Sequence, residues 1–269
     1  MTQATVPVPD LRIVPVAAIT PHEAGDSQRA KPLSEALVHD GFIRNPIIIT
    51  PHEDGYILLD GTNRHGALQH LSIPHAFAQV VDYDSPHVSL STWTHVIADV
   101  PAAEVYDTVA AIPNLFMRTA PSNPDVAVLT LRDGRTLYLR SASGTYTARI
   151  EALRTLVETL IGVGRLNRSG SNAEQDINDA FPDWTAVVRY MHFTPDDVRR
   201  IITLNVFAPA GVTRHIVQGR ALRVNVPMDL LRADMPLAEK NKQLHNEIHT
   251  KFAQRQVRLY TEATYVYEE

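Results

Sequence analysis

The spacing of apolar residues changes several times along the chain, and each change predicts a new element of secondary structure. Alternating apolar positions indicate a strand over Leu11–Ala18, and an i, i+3, i+4 spacing predicts a helix over Lys31–Asp40. The β-branched run Asn45–Thr50 and the apolar run Tyr56–Leu59 flank a turn that contains His-Glu-Asp-Gly, a sequence typical of a β-hairpin. The first part of the chain therefore predicts strand, helix and hairpin.

The second strand of this hairpin leads directly into a polar loop. The loop Asp60–Arg64 reads Asp-Gly-Thr-Asn-Arg, and the residues after it predict a helix from His65 to about Leu71. A further strand is predicted over Ala76–Tyr83. This order places the loop between the carboxyl end of a strand and the amino end of a helix.

The rest of the chain mixes helical and strand patterns, which makes the predicted fold class α/β, or α+β in the strict sense. A Thr-Pro-Asp-Asp sequence with Thr194 as N-cap is a strong helix-start signal. The predicted elements are a hairpin of Val126–Leu131 and Thr136–Ser141, helices over Thr147–Leu166, Val198–Val206 and Leu237–Arg255, a flexible linker at Asn167–Asn172, and strands over Ala221–Pro227 and Val257–Tyr267.

The composition is that of an ordinary globular protein, with 44% hydrophobic and 20% charged residues among 269. Cysteine is absent, which excludes disulfides, thiolate metal sites and cysteine nucleophiles. The N-terminal segment Met1–Asp10 has neither a basic nor an apolar region, and no run of about eighteen apolar residues follows. We therefore expect a soluble protein of the cytoplasm that does not enter a membrane.

The formal net charge is −5, and the charges are distributed unevenly. Residues 1–95 hold ten acidic and five basic side chains, whereas residues 211–260 hold nine basic and four acidic ones. An acidic half and a basic stretch suit a substrate that combines a metal with phosphates, whereas a nonspecific DNA-binding domain is usually basic as a whole. The pattern argues against nucleic acid as a partner, although charges that only solvate a surface remain the other interpretation.

The loop Asp60–Arg64 combines residue types that suit a nucleotide and its metal. Gly61 lets backbone N–H groups approach phosphate oxygens, and the helix amino end adds partial positive charge. Arg64 adds a guanidinium, and Asp60 is a carboxylate of the type that holds Mg²⁺ while phosphates supply further oxygens. Because Asp-Gly is also a common turn, a purely structural role for the loop stays open at this point.

Two blocks, Asn45–Ile49 and Tyr56–Leu68, resemble the ParB/sulfiredoxin superfamily, in which an Asp/Gly-rich loop ending in Arg binds nucleotide phosphates. Sulfiredoxins need a catalytic cysteine in this loop, and the chain has none. ParB proteins place a helix-turn-helix domain directly after the nucleotide domain, whereas here the hairpin around Asp133-Gly134 is predicted in the following segment. The resemblance therefore favours the third branch, the free L-serine kinases.

That branch resembles the chain over nearly its whole length, through four further blocks. They are Pro21–Glu23, Thr92–His95, Pro209–His215 and Arg220–Pro227. The resemblance implies a ParB/sulfiredoxin-like nucleotide-binding domain over residues 1–95 and a mixed α/β domain over residues 96–269 that contributes the serine pocket. It also implies an active site in the cleft between the two.

The resemblance assigns the donor side to the loop after the strand. Gly61, Thr62, Asn63 and Arg64 would bind the nucleotide phosphates, and Asp60 would hold Mg²⁺. The loop of the kinases usually reads Asp-Gly-His-His-Arg, so Thr62 and Asn63 replace two histidines here. Both can donate hydrogen bonds to phosphate oxygens, but neither carries a proton as histidine does.

The resemblance also assigns the acceptor side. Glu23 matches the catalytic acid of the kinases, whose carboxylate would take the proton of the serine hydroxyl. Thr213, Arg214 and His215, on a turn after a glycine, would hold the serine carboxylate, and Trp93 would form a wall that limits side-chain size. Residue types alone also allow Glu23 to be an acid in the first turn of a helix and Trp93 to be a core residue. They equally allow Arg214 and His215 to form a surface ion pair.

The sequence thus predicts a Mg²⁺-dependent phosphotransferase that moves a phosphoryl group from ATP or ADP to the hydroxyl of free L-serine. The alternative is a ParB-like regulator that binds nucleotide without catalysis, or a DNA-associated protein. His245 and His249 stand four residues apart on a predicted helix, a spacing that can bind a metal, but a solvated helix face is the favoured interpretation. The oligomeric state is left open, with a homodimer as one option.

Overall fold

The structure is a computed structural model that describes residues 6–25, 27–123 and 125–260. Within these ranges the strands are β1 (Asp10–Pro15), β2 (Ile19–Pro21), β3 (Phe42–Ile43), β4 (Ile47–His52), β5 (Gly55–Asp60), β6 (His75–Val80), β7 (Val88–Thr92), β8 (Thr94–Ala98), β9 (Leu115–Arg118), β10 (Ala127–Leu131), β11 (Thr136–Ser141), β12 (Arg165–Ser169), β13 (Trp184–Tyr190), β14 (Thr213–Val217) and β15 (Val226–Pro227). The helices are α1 (Ser27–Asp40), α2 (Thr62–His70), α3 (Ala102–Ala110), α4 (Tyr146–Ile161), α5 (Glu174–Ala180), α6 (Pro195–Thr203), α7 (Met228–Arg232) and α8 (Leu237–Ala253). The mixed α/β class predicted from the sequence is confirmed.

The chain folds into two compact units that are not consecutive in sequence. Unit 1 comprises Met1–Thr20, Ser27–Val88 and Val217–Glu269, and unit 2 comprises Pro21–Asp26 and Ser89–Ile216. The linear division expected at residue 95 differs from this grouping in three places, the first of which is the boundary itself, at residue 88. A short early segment belongs with unit 2, and the C-terminal segment returns to unit 1.

Unit 1 contains a five-stranded sheet in the order β1-β6-β4-β5-β2. The central strand β4 pairs in parallel with β6 and antiparallel with β5. Its residues Ile47, Ile48 and Ile49 are at most 1% exposed, as expected for a strand covered on both faces. Because β5 ends at Asp60 and α2 begins at Thr62, this sheet positions the polar loop.

Unit 2 contains a six-stranded sheet in the order β12-β8-β13-β10-β11-β9. Neighbouring strands pair antiparallel throughout. The amphipathic face of α4 belongs to the core of this unit, where Leu153, Leu156 and Leu160 are fully buried together with Leu129 and Val188 of the sheet. The helical spacing of apolar residues in the sequence reflects this burial.

Three predictions are confirmed whose sequence signals lie within a few neighbouring residues. The two predicted hairpins form as β4–β5 and β10–β11. At the start of α6, the Thr194 hydroxyl accepts a hydrogen bond from the Asp197 N–H (3.2 Å), and the Asp197 carboxylate accepts one from the Thr194 N–H (2.9 Å). This reciprocal pair is the capping box that the sequence indicated.

The flexible linker predicted at Asn167–Asn172 is wrong for its first three residues, whereas residues 170–172 lie outside any helix or strand. Strand β12 covers Arg165–Ser169 and pairs with β8, with Asn167 opposite Val96. Since β12 is the outermost strand of its sheet, polar side chains are tolerated along it and the alternation that signals a strand is missing.

The strand predicted over Ala221–Pro227 is also wrong for most of its length, because only Val226–Pro227 is paired as a strand. The Ala221 N–H donates to the Gln79 side chain (2.9 Å) instead of to another strand. Arg223 has a φ of +54°, which is incompatible with an extended strand. A side-chain partner distant in sequence therefore replaces the strand ladder.

The ends of several other elements differ from the prediction. Strand β1 stops at Pro15 and is followed by a turn of 3-10 helix, whereas α1 and α2 begin at Ser27 and Thr62, earlier than expected. Helix α4 ends at Ile161. Of the terminal strand predicted over Val257–Tyr267, residues 257–260 are not extended into a strand and the remainder lies outside the described residues. None of the helices in the described ranges is long and apolar enough to cross a membrane.

Asn241 of α8 secures the edge strand β1. Its Nδ2 donates to the Ile13 carbonyl (2.9 Å), and the Ile13 N–H donates to its Oδ1 (2.9 Å). We expect Asn241→Ala to lower the free energy of unfolding by about 2–3 kcal/mol, because two backbone groups lose their partner in a buried position. Chemical denaturation measures this change. Asn246→Ala, an exposed site on the same helix, serves as the control and should cost less than about 0.5 kcal/mol; equal losses in both variants would contradict this role of Asn241.

Candidate active site

The loop after β5 turns sharply at Gly61 and leads into α2. Gly61 has a φ of +102°, and a Cβ atom placed there would lie 2.7 Å from Cγ2 of Ile47. Only glycine fits this position without strain. The turn at Gly61 lets α2 begin at Thr62 and Asn63, immediately after the end of β5. The first backbone N–H groups of a helix have no partner inside it, so this corner offers donors to an anion.

Two arginines share the carboxylate of Asp60 at this corner. Arg64 donates from Nη1 to the carbonyls of Asn45 (3.0 Å) and Pro46 (2.7 Å) and from Nη2 to Asp60 Oδ2 (3.2 Å). Nη2 of Arg220 contacts the same Oδ2 atom. Burial lowers the pKa of Arg64 to about 10 and also lowers the pKa of Arg220, yet both remain charged at neutral pH. One carboxylate therefore balances two cations, and the corner retains an excess of positive charge.

Arg220 is a candidate site residue that the sequence did not assign. The side chain of Gln79 donates to the Gly219 carbonyl (3.1 Å) and accepts from the Ala221 N–H (2.9 Å), so it holds the backbone on both sides of Arg220. Gln79 is only 3% exposed and interrupts the apolar strand β6. In the sequence, a polar residue within an apolar strand indicated that Gln79 binds another segment of the chain, because a buried polar side chain needs a hydrogen-bonding partner.

Asp60 fits the role of a magnesium ligand. Its side chain is 39% exposed, and Mg²⁺ commonly uses one or two carboxylates together with phosphate oxygens. In the described part of the chain, no three His, Asp or Glu side chains come together as a metal site.

Glu23 does not lie in the first turn of a helix, which corrects one interpretation of the sequence. Its backbone forms a parallel bridge with Ala208, and this extended segment aims the side chain at the turn before β14. Oε1 of Glu23 accepts hydrogen bonds from the Thr213 N–H (2.9 Å) and hydroxyl (2.5 Å), and Oε2 accepts one from the Gly211 N–H (3.1 Å). We call these three donors the Glu23 cradle. They fix the carboxylate in one orientation.

Thr213 begins strand β14 and does not lie on a turn, which corrects the second expectation for the acceptor side. Its side chain is 6% exposed, and its hydroxyl lies 2.8 Å from Nε2 of His22 as well as close to Glu23. Since a hydroxyl has one proton and the Glu23 carboxylate can only accept, Nε2 of His22 donates to Thr213. Thr213 therefore orients Glu23, and the sequence missed His22 because this contact spans 191 positions.

The remaining acceptor candidates lie in the same unit. His215 is 7% exposed and packs edge-on against His22, with ring centroids 5.3 Å apart. Arg214 stacks over the half-buried ring of Trp93, with Cζ 4.9 Å from the ring centroid, and donates to the Gly170 carbonyl (3.3 Å). Trp93 is thus not a fully buried core residue, and its ring supports a cation.

Comparison with solved structures identifies the class of fold. The structure matches that of C-terminally truncated SbnI from Staphylococcus aureus with a TM-score of 0.72, 22% sequence identity and coverage of 90% of this chain and 97% of that chain. It matches a free serine kinase in complex with AMP with a TM-score of 0.72, 18% identity and coverage of 85% and 97%. The chain thus has the mixed α/β fold of these proteins.

The sequence comparisons find curated relatives of similar length. The chain is 25% identical to the ATP-dependent L-serine kinase SbnI of Staphylococcus aureus over 265 residues, which cover 96% of the chain and 97% of the relative. It is 24% identical to an ATP-dependent L-serine kinase of Desulfurococcus mucosus over 237 residues, which cover 82% and 90%. No protein-family model matches the chain. The chain is thus similar over most of its length to proteins named as ATP-dependent L-serine kinases.

The Glu23 cradle predicts a specific sensitivity at Thr213. We expect Thr213→Val, which keeps the shape of the side chain, to lower the free energy of unfolding by about 2–3 kcal/mol, because a charged acceptor and a buried histidine both lose a partner. Thr213→Ser retains the hydroxyl and is the matched control, with a loss of about 1 kcal/mol for the missing methyl group. Urea denaturation monitored by circular dichroism measures both changes. A valine variant as stable as the serine variant would contradict the assigned hydrogen bonds.

Proposed function

We propose that this chain transfers the terminal phosphoryl group of ATP to the hydroxyl of free L-serine, giving O-phospho-L-serine and ADP. The observation that carries the proposal is the Glu23 cradle, which fixes a carboxylate beside a strand that carries a stacked arginine. The names of the curated relatives support both ATP as the donor and serine as the acceptor.

The cradle leaves Oε2 of Glu23 as the atom that takes the proton. A carboxylate offers about four acceptor positions, two on each oxygen. Among the described residues, Oε1 receives two hydrogen bonds and Oε2 receives one. The serine hydroxyl would donate to the remaining position on Oε2. As its oxygen forms a bond to the terminal phosphorus, the bond between that phosphorus and the ADP oxygen breaks and the proton passes to Oε2.

The phosphates of the donor would bind at the corner of unit 1. Backbone N–H groups of Gly61, Thr62 and Asn63 would cradle the phosphates at the start of α2. Arg64 and Arg220 would neutralise charge on the transferred group, since phosphoryl transfer depends mainly on positioning and electrostatic stabilisation. The excess of positive charge at this corner supports the assignment.

Asp60 would hold Mg²⁺ together with the phosphates. When bound, the metal neutralises phosphate charge that the two arginines leave uncompensated. The contribution of the chain is the position of the Asp60 carboxylate at the end of β5, held by Arg64 through Oδ2.

The acceptor would be recognised by its carboxylate. Arg214 keeps donors beyond the one used on Gly170, and its stacking on Trp93 reduces the entropy lost when it binds an anion. His215 would complete the serine pocket beside Thr213. We therefore retain Trp93, Thr213, Arg214 and His215 as acceptor-side residues, with Thr213 acting through Glu23.

We further propose that unit 1 is a ParB/sulfiredoxin-like nucleotide-binding unit. The order of strand β5, glycine turn and α2 supports this proposal, because the phosphate-binding loop of that superfamily would lie between such elements. The active-site cleft, the cytoplasmic location and the homodimer expected from the sequence stay predictions.

The direct test incubates purified protein with Mg²⁺, L-serine and either ATP or ADP. We expect phosphoserine with ATP, detected by mass spectrometry. Formation of phosphoserine with ADP but not with ATP would show that ADP, and not ATP, is the phosphoryl donor. Tight nucleotide or DNA binding without phosphoserine from either donor would instead support a non-catalytic ParB-like regulator.

Removal of the Glu23 carboxylate should separate chemistry from donor binding. We expect Glu23→Ala to lower kcat by about 100- to 10,000-fold, the usual contribution of a general base, and to leave the Kd for ATP within about twofold. Steady-state kinetics and calorimetry measure the two effects. Glu174→Ala, at an exposed acid of the same unit, is the control and should retain kcat. A parallel loss of ATP affinity would show that Glu23 has a structural role.

Arg220 should contribute to donor binding. We expect Arg220→Gln to weaken ATP binding by about 10- to 100-fold and to make the affinity less sensitive to salt, because one charge-assisted contact to phosphate is lost. The exposed Arg232 of the same unit provides the control Arg232→Gln, which should bind ATP as the wild type does. Calorimetric titration at two salt concentrations distinguishes these results, and equal affinities for both variants would remove Arg220 from the site.

A further inference from the structure

His95 contacts the turn that carries the Glu23 cradle, through the backbone carbonyl of Gly211. Its Nε2 lies 3.0 Å from the Gly211 carbonyl oxygen, and its Nδ1 lies 2.6 Å from the hydroxyl of Tyr190. His95 is fully buried and Tyr190 is 8% exposed. Neither residue contacts Glu23 directly, yet both act on the backbone that binds it.

The direction of these hydrogen bonds follows from their atoms. A carbonyl oxygen can only accept, so Nε2 of His95 carries a proton and donates to Gly211. Burial lowers the pKa of His95 to about 4, with a smaller lowering from the charge of Arg168, so the ring is neutral near pH 7 and has one N–H. Nδ1 therefore accepts, and the Tyr190 hydroxyl donates to it. Tyr190 thus selects the tautomer that holds Gly211.

The Gly211 carbonyl needs this restraint because glycine readily changes conformation. Gly211 has a φ of +74°, and its carbonyl belongs to the peptide between the two that donate to Glu23. The next carbonyl, that of Val212, is held by the Trp93 N–H (2.9 Å). A rotation of the Gly211–Val212 peptide would turn the carbonyl away from His95 and disturb the convergence of the Gly211 and Thr213 N–H groups.

The position of Arg168 adds a second restraint on the same residue. A Cβ atom at Gly211 would overlap the guanidinium of Arg168, so this side chain packs directly against the glycine. The turn is thus enclosed by His95 and by Arg168. Both residues are distant in sequence from Glu23 and from the turn.

We propose that His95 and Tyr190 are positioning residues for Glu23, in which the Tyr190 hydroxyl fixes the His95 tautomer that holds the Gly211 carbonyl and thereby aims the backbone donors of the cradle. The proposal rests on the proposed kinase function for its kinetic consequence. Its structural part, the tautomer and the held turn, is independent of that function.

The kinetic test uses Tyr190→Phe and a matched control. Tyr146 is a buried tyrosine of the same unit, 7% exposed, whose hydroxyl donates to the Asp197 carbonyl at the start of α6 (3.2 Å). We expect Tyr190→Phe to lower kcat for phosphoserine formation by about 10- to 100-fold with KM for ATP and serine within about twofold, since misplacement of a catalytic group affects turnover more than binding. Tyr146→Phe should retain the kcat of the wild type.

Two His95 variants distinguish positioning from packing. His95→Gln places an amide N–H donor near the position of Nε2 and offers an oxygen to Tyr190, whereas His95→Leu removes both interactions. We expect kcat to be higher in the glutamine variant by about tenfold, in keeping with the loss when a supporting hydrogen bond is removed. Equal kcat in the two variants would overturn the proposal.

Two NMR measurements test the His95 tautomer and the order of the Gly211 turn without any measurement of catalysis. Nitrogen-15 NMR of the imidazole should show the proton of His95 on Nε2 in the wild type. Amide hydrogen exchange at Gly211 and Thr213 should become faster in Tyr190→Phe and stay unchanged in Tyr146→Phe. A wild-type proton on Nδ1, or unchanged exchange in Tyr190→Phe, would overturn the proposal.

The outcomes separate the two proposals. In one outcome the wild type forms no phosphoserine while its His95 carries the Nε2 proton and Tyr190→Phe exchanges faster. That result would reject the kinase function and retain the proposal that His95 and Tyr190 hold the Gly211 turn. An active wild type whose Tyr190→Phe variant keeps full kcat would reject the positioning role and leave the kinase function intact.

Discussion

The convergence of two backbone N–H groups on one carboxylate is the interaction on which the candidate acceptor site depends. Gly211 and Thr213 can both reach Glu23 only because the chain turns through a left-handed glycine and then enters β14. The bridge between Glu23 and Ala208 brings a residue from the beginning of the chain to this turn. Only substitution by proline removes a backbone donor, so the orientation of Glu23 depends on the fold more than on the choice of side chains.

Electrostatic balance governs the corner between β5 and α2, where we propose that the donor phosphates bind. The Asp60 carboxylate contacts the guanidinium groups of both Arg64 and Arg220, and its negative charge reduces the repulsion between them. Their burial keeps them weakly hydrated, which favours exchange of a protein carboxylate for a phosphate. The corner is therefore prepared for an anion without a large rearrangement of side chains.

Sequence reasoning identified what is encoded locally. The loop Asp60–Arg64, the two hairpins and the Thr194 cap depend on residues within a few positions of one another, and the fold confirms their placement. The surroundings of Glu23 could not be derived in this way, because its partners lie 188 and 190 positions away. Family resemblance selected Glu23 and Thr213 as site residues, but it did not show that one holds the other. Arg220 was missed for the same physical reason: its neighbour Asp60 is 160 positions distant.

The return of the C-terminal segment to unit 1 has a consequence for synthesis. The core of unit 1 includes Val226, Met228, Leu231 and Leu244, which follow all of unit 2 in the chain. A ribosome therefore exposes the complete core of unit 2 while the hydrophobic surface of β1, β4 and β6 still lacks its covering residues. Unit 2 can fold during translation, and the sheet of unit 1 must wait in a partly uncovered state in which aggregation competes with folding. The order of translation thus leaves the early segments of unit 1 without part of their core for longest.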